Sequence, residues 1–125
     1  KTYVARVWGV PPDKTGTIDL PLIVDWPNRP RQMVDHENGK PAQTDWRLLK
    51  SDGQTSRMRL QPRTGRSHQL RVHMLEIGHV ILGDVFYATD QALSASPRLC
   101  LHASELSFDH PISHERMNFA QNADF

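Results

Sequence analysis

Residues 60–87 read LQPRTGRSHQLRVHMLEIGHVILGDVFY, and the fold is organised around this stretch. The pattern predicts a strand, a turn at Thr64-Gly65 and then a helix over about residues 67–77. Gly78 follows at the position past a helix end, where a positive φ is common. One face of the helix is apolar, with residues spaced four and three apart: Leu70, Met74 and Ile77.

Strand patterns dominate the rest of the chain. An Asp-Gly pair at Asp52-Gly53 lies between two β-rich runs, which is a strong hairpin signal. Only residues 88–96 suggest a second, short helix. Several strands with one main helix predict an α+β fold with mainly antiparallel or mixed pairing. The expected strands are 2–9, 17–22, 32–35, 42–50, 56–60, 98–108 and 117–119.

Composition excludes several classes of protein. With 125 residues the chain is one domain or part of one. A single cysteine, Cys100, rules out an internal disulfide framework and suits a reducing cytoplasm, and we expect it to be a small core residue. The sequence has no apolar run long enough for a membrane span. Seven histidines show no metal-ligand spacing, so we expect no metal site.

Basic residues concentrate around the main helix. Residues 57–79 carry five arginines against one glutamate, a net charge of +4 on a chain whose total is +1. A local basic patch of this kind favours a polyanionic partner. The donors near the helix start include Arg63, Arg66, His68 and Arg71; a proline-rich loop with Trp26 adds Arg29 and Arg31.

The sequence resembles the RluA family of RNA pseudouridine synthases. The resemblance covers nearly the whole chain, and an ordered series of motifs carries more weight than one short pattern. The motifs are KTYVARVWG (1–9), LPLIVDWPNRP (20–30), GKPAQT (39–44), GRSHQLRVH (65–73), GDVFY (83–87), RLCLHA (98–103) and FDHP (108–111).

One family motif does not occur in these 125 residues. The family's catalytic aspartate lies in a His-Arg-Leu-Asp sequence upstream of the Lys-x-Tyr motif, which here is Lys1 to Tyr3. The resemblance therefore implies that residues 1–125 are the C-terminal part of the catalytic domain. It also implies a central mixed sheet and a reaction without a cofactor. We expect this chain alone to be inactive.

The resemblance also implies roles for individual residues. Tyr3 would pack on the target uracil, although as a strand residue it fits the core as well. Leu70 would form a pocket wall, and Arg71 would pair with the absent aspartate. The RNA substrates would be stem-loops of large-subunit rRNA and tRNA. The basic residues expected to bind them are Arg29, Arg31, Arg63 and Arg66, with His68 beside them.

Two alternatives stay open: a catalytically silent RNA-binding module and a protein-interaction domain that binds no RNA. Two expectations follow from the missing segment. Arg71 would be a stranded charge within this chain, so that Arg71→Met would be neutral or stabilising. An unpaired sheet edge would let the chain associate with a second copy.

Overall fold

The structure is a computed structural model that describes residues 1–105. In chain order the elements are β1 (Thr2–Trp8), β2 (Thr15–Asp19), β3 (Leu22–Val24), a 3₁₀ turn (Trp26–Asn28), β4 (Gln32–Val34), β5 (Gln43–Ser51), β6 (Thr55–Pro62), α1 (Gln69–Glu76), α2 (Asp90–Ser94) and β7 (Leu101–Glu105). The predicted strand at 117–119 and the end of the one at 98–108 lie outside the described residues.

The strands form two sheets. The larger has the order β2-β5-β6-β1-β7, and the smaller pairs β3 with β4. Every described pairing is antiparallel. The Asp52-Gly53 turn joins β5 to β6 as predicted. The α+β prediction is therefore confirmed.

The core lies between the large sheet and α1. Strand residues that are fully buried, such as Ala5, Met58 and Leu60, pack in one cluster with Leu70 and Met74 of the helix. The predicted apolar face of the helix is confirmed, and Ile77 packs against the same cluster. Cys100 is a buried core residue, as expected.

Several element boundaries differ from the prediction by one to three residues, and two of the differences have a local physical reason. The expected strand at 17–22 is broken around Pro21, so that β2 pairs in the large sheet and β3 in the small one. Proline has no N–H to continue a ladder. The helix begins at Gln69 because His68 has a left-handed backbone with φ 54°. At its other end Gly78 has φ +86°, as predicted.

Within residues 1–105, β2 and β7 are the outer strands of the larger sheet. Association with a second copy through such an edge stays a prediction. Within residues 1–105, neither helix has the length and apolarity needed to cross a membrane.

A buried polar network ties α1 to the sheets. His73 is fully buried, with its Nδ1 2.8 Å from the Thr44 hydroxyl and its Nε2 2.9 Å from the Leu20 carbonyl oxygen. Since a carbonyl only accepts, Nε2 carries the proton and Nδ1 accepts from Thr44. The Gln69 amide donates to the same Thr44 oxygen and to the Gln43 carbonyl. In this arrangement the imidazole is neutral.

Burial lowers the pKa of His73 below 6.5, and this predicts an acid-sensitive stability. Below pH 6.5 the unfolded chain binds a proton that folded His73 excludes, so the free energy of unfolding falls. The loss is at most about 1.4 kcal/mol per pH unit and stops once the pH passes the folded pKa. Urea unfolding between pH 7.5 and 5 measures it.

His73→Gln should flatten this pH dependence. Burial also lowers the pKa of His68, which lies nearer the surface, so His68→Gln is the comparison variant and should keep most of the slope. A slope in His73→Gln equal to that of the wild type would show that protonation of His73 is not coupled to folding.

Candidate active site

A cleft opens where the first residues of β1, the end of β6 and the start of α1 meet. Its volume is about 620 Å³, within the range of small-molecule sites. Among the described residues, no three His, Cys, Asp or Glu side chains lie close enough to hold a metal ion. The cleft is lined by Lys1, Tyr3, Pro62, Arg63, Thr64, Gly65, Arg66, His68, Gln69, Leu70, Arg71, Leu99 and Leu101.

Six of the eight residues predicted for the site line this one cleft: Tyr3, Arg63, Arg66, His68, Leu70 and Arg71. Tyr3 is half-buried on β1, opposite Leu60 of β6 and Ala103 of β7. It packs against the core and also lines the cleft. The surroundings of Tyr3 therefore fit both the core role and the role of a ring that faces a bound base.

Arg71 forms a two-point ion pair with Asp84. Its Nε lies 2.9 Å from one carboxylate oxygen and its Nη2 2.6 Å from the other. Asp84 is fully buried, whereas the Arg71 side chain keeps 15% of its surface exposed. The hydrogen-bonded carboxylate raises the pKa of Arg71, so the guanidinium stays charged. The expectation that Arg71 is stranded within this chain is wrong, because Asp84 is its partner.

The backbone of the loop at Gly83-Asp84 positions that carboxylate. Gly83 has φ +72°, and a Cβ there would collide with the backbone of Arg98, so only glycine fits. Asp84 also accepts hydrogen bonds from the backbone amides of Phe86 and Tyr87. Asp84 is therefore a turn aspartate that binds backbone N–H groups and that additionally holds Arg71.

Aromatic rings surround the guanidinium. Its central carbon lies 5.2 Å from the ring centre of Phe86 and 5.4 Å from that of Tyr87, within the range of cation–π contacts. His68 stacks on Phe86 at 5.7 Å. These contacts restrict the positions that Arg71 can take at the cleft wall.

His68 connects the cleft to the small sheet. Its Nδ1 lies 2.6 Å from the Tyr87 hydroxyl oxygen, which accepts a hydrogen bond from the backbone N–H of Gln32. We assign the Tyr87 O–H as donor to Nδ1, since the tyrosine oxygen already accepts from Gln32. Burial, followed by the nearby Arg71 charge, lowers the pKa of His68 and favours the neutral imidazole.

The two arginines at the cleft mouth are held differently. Arg63 is exposed and pairs through Nε with Asp45 at 2.8 Å. Arg66 donates from Nε to the Pro41 carbonyl oxygen at 2.8 Å. In both cases Nε is occupied, and the structure gives no hydrogen bond to either terminal nitrogen within residues 1–105. Both side chains therefore keep donors for a ligand.

Arg29 and Arg31 do not line the cleft. Arg29 stacks over the ring of Trp26 at 4.1 Å, and Trp26 is 65% exposed. Arg31 lies close enough to Tyr87 for its charge to act on the phenol. The loop that carries them is thus a neighbour of the His68 side of the cleft and separate from its lining.

Sequence reasoning missed the contributions of Asp84, Phe86 and Tyr87 to the site. The run GDVFY was recognised as a motif, but no local pattern indicates that it contacts a residue 13 positions earlier. The available signal was that a half-buried arginine requires a carboxylate, and Asp84 is the next aspartate after Arg71 in the chain.

Comparison with known proteins indicates the family of this chain. The sequence profile of the family described as RNA pseudouridylate synthase matches residues 1–76. The chain belongs to this family. The resemblance predicted from the motifs is therefore confirmed, and the matched residues include Tyr3, Leu70 and Arg71, which line the cleft.

Curated relatives and solved structures agree with the assignment. The "Dual-specificity RNA pseudouridine synthase RluA" of Salmonella typhi is 57% identical over 126 aligned residues that cover all of this chain. The protein of the same name from Vibrio vulnificus is 59% identical over 91% of this chain. The chain spans 58% and 48% of the lengths of these two relatives.

A solved human protein, RNA Pseudouridylate Synthase Domain Containing 1, matches with a TM-score of 0.74 and 31% identity, covering 82% of this chain and 46% of that one. Human RNA Pseudouridylate Synthase Domain Containing 4 matches with a TM-score of 0.58 and 28% identity, covering 86% and 42%. The α+β arrangement is thus shared with solved domains of this family.

The Arg71–Asp84 pair predicts a large coupling in stability. Arg71→Met leaves a fully buried carboxylate without its cation and should cost about 3–5 kcal/mol. Asp84→Asn should also destabilise, but the double variant should lose much less than the sum of the two. Urea unfolding of the wild type, both single variants and the double variant measures this.

The matched control is the exposed pair Arg63–Asp45. Arg63→Met should cost less than about 1 kcal/mol, because solvent screens an exposed pair. Losses that simply add in the Arg71 and Asp84 double variant would mean that the two side chains do not stabilise each other.

Proposed function

We propose that the intact protein isomerises uridine to pseudouridine in RNA, with large-subunit rRNA and tRNA stem-loops as substrates. The observation that carries this is the convergence of Tyr3, Leu70 and Arg71 on one cleft. Support also comes from the relatives named dual-specificity RNA pseudouridine synthase. Residues 1–125 would be the C-terminal part of the catalytic domain, acting in the cytoplasm.

The reaction breaks the glycosidic bond of uridine, rotates the base and rejoins it to the sugar through carbon. An enzyme that acts on a base must take it out of the RNA stack. Tyr3, half-buried at the cleft wall, offers a ring against which the extruded uracil packs. Leu70 provides an apolar wall and helps to exclude water.

In this proposal Arg71 pairs with the family's catalytic aspartate, whose His-Arg-Leu-Asp motif does not occur in residues 1–125. The Nε–Nη2 edge of its guanidinium is occupied by Asp84. Its Nη1 edge has no hydrogen bond within residues 1–105, and the residue lines the cleft. Arginine keeps its charge and donates only, so this free edge suits a carboxylate. In this proposal Asp84 binds the Nε–Nη2 edge of the Arg71 guanidinium, and the catalytic aspartate binds its Nη1 edge from the cleft.

The remaining basic residues would bind phosphates. Arg63 and Arg66 lie at the cleft mouth with free terminal nitrogens, and Arg29 and Arg31 lie on the adjacent loop. His68, held neutral, would contribute a hydrogen bond in place of a charge. A guanidinium suits phosphate because two of its donors bind two oxygens at once.

A turnover assay tests the function. The intact protein should convert uridines to pseudouridine in rRNA and tRNA transcripts, whereas residues 1–125 alone should not, since they contain no His-Arg-Leu-Asp motif. RNA binding without turnover by the intact protein would favour a silent RNA-binding module. Pseudouridine formed by residues 1–125 would place the nucleophile within them.

Substitution at Tyr3 tests the stacking role. Tyr3→Phe keeps the ring and should leave RNA affinity of the intact protein near that of the wild type. Tyr3→Leu removes the ring and should weaken binding by roughly 1–3 kcal/mol, the contribution of base–aromatic stacking. Equal affinity in all three proteins, measured by filter binding, would leave Tyr3 with a core role alone.

A further inference from the structure

Two of the five arginines in residues 57–79 are not part of the cleft lining. Arg57 and Arg59 are on β6, where successive side chains point to opposite faces of the sheet. Their neighbours Met58 and Leu60 are fully buried in the core beside α1. Arg57 and Arg59 therefore project from the face opposite α1.

Cross-strand neighbours extend this charge. In the register of the sheet, Arg57 lies opposite Arg6 of β1 and Lys50 of β5, and Arg59 lies opposite Arg47 of β5. Like charges directly opposite one another destabilise a sheet. We call the five cations Arg6, Arg47, Lys50, Arg57 and Arg59 the basic sheet face.

Little within the described chain neutralises this face. Among residues 1–105, four of its cations have no ion pair, and Arg6 has only a 3.5 Å contact with Asp52. Hydrogen bonds from the Thr55 and Gln54 backbone lower the pKa of Asp52 to about 2, so its carboxylate is held by its own hairpin. Most of the charge on the face therefore has no ion-pair partner among residues 1–105.

A cavity of about 300 Å³ lies at the hairpin end of the face. Arg6, Lys50 and Arg57 line it together with Ser51, Asp52, Thr55 and Ser56. The Nε of Arg57 is buried and has no hydrogen-bond partner in the described residues. The Arg6, Lys50 and Arg57 cations that line the cavity suit an anionic ligand.

We propose that the basic sheet face binds the phosphate backbone of the RNA whose uridine enters the cleft. The inference rests on the proposed function and adds a second contact surface to it. Arg63 connects the two surfaces, because it lines the cleft and reaches Asp45, which shares the strand face of Arg47. From Arg63 to Arg57 the strand covers roughly 20 Å.

The chemistry of the face favours a nucleic acid over a protein partner. Four of its five cations are arginines, which bind phosphate oxygens through paired donors. Protein interfaces generally have an apolar centre. Of the large apolar side chains exposed in the described part of the chain, only Leu49 belongs to β1, β5 or β6.

Salt-dependent RNA binding by the intact protein tests the proposal. The variant Arg47→Gln/Lys50→Gln changes two exposed side chains, and its folding is checked by thermal melting. The probe is a transcribed stem-loop with a uridine in the loop and single-stranded flanks. Each lost phosphate contact lowers the slope of log K against log salt by about 0.7–0.9, so the double variant should lose about 1.4–1.8.

Lys40→Gln is the matched control, because Lys40 is exposed and belongs to neither the cleft lining nor the basic sheet face. It should keep the wild-type slope. A wild-type slope in Arg47→Gln/Lys50→Gln would overturn the basic sheet face as an RNA contact. If the wild-type protein bound no RNA, the proposed function itself would fail, and the two failures are thereby distinguished.

Discussion

The ion pair between Arg71 and Asp84 is the interaction on which the cleft depends. It joins α1 to the loop that follows it, and its carboxylate is fully buried. Taking one charge away would strand the other in a poorly solvated place. Gly83 allows the loop to turn so closely against the Arg98 backbone that Asp84 reaches Arg71. The aromatic rings of Phe86 and Tyr87 then fix the guanidinium at the cleft wall.

Much of the fold was predictable, because local rules decide it. The Asp52-Gly53 hairpin, the apolar face of α1 and the glycine after its end follow from turn chemistry and periodicity. The start of α1 was misplaced, because tertiary contacts hold His68 in a left-handed conformation that propensity does not indicate. The family resemblance, in turn, indicated six of the thirteen residues that line the cleft. It did not reveal Asp84 as the partner of Arg71, since that contact arises only when the chain folds.

The charged residues of segment 57–79 show a second limit of sequence reasoning. In the sequence they form one cluster with a net charge of +4, but in the fold they are divided between two surfaces. Arg63, Arg66 and Arg71 line the cleft, whereas Arg57 and Arg59 project from the other face of the sheet. Strand alternation produces this division, and the register adds cations from β1 and β5 that are distant in sequence. A polyanion would thus meet two connected basic surfaces on a chain of nearly neutral total charge.

A structure of the intact protein bound to a uridine-containing stem-loop tests the central claim most directly. The account predicts the target uracil outside the RNA stack, packed on the Tyr3 ring, with Arg71 held by Asp84 on one edge and facing the catalytic aspartate with the other. A uridine bound elsewhere, with Tyr3 closed into the core and Arg71 turned away from the cleft, would contradict it.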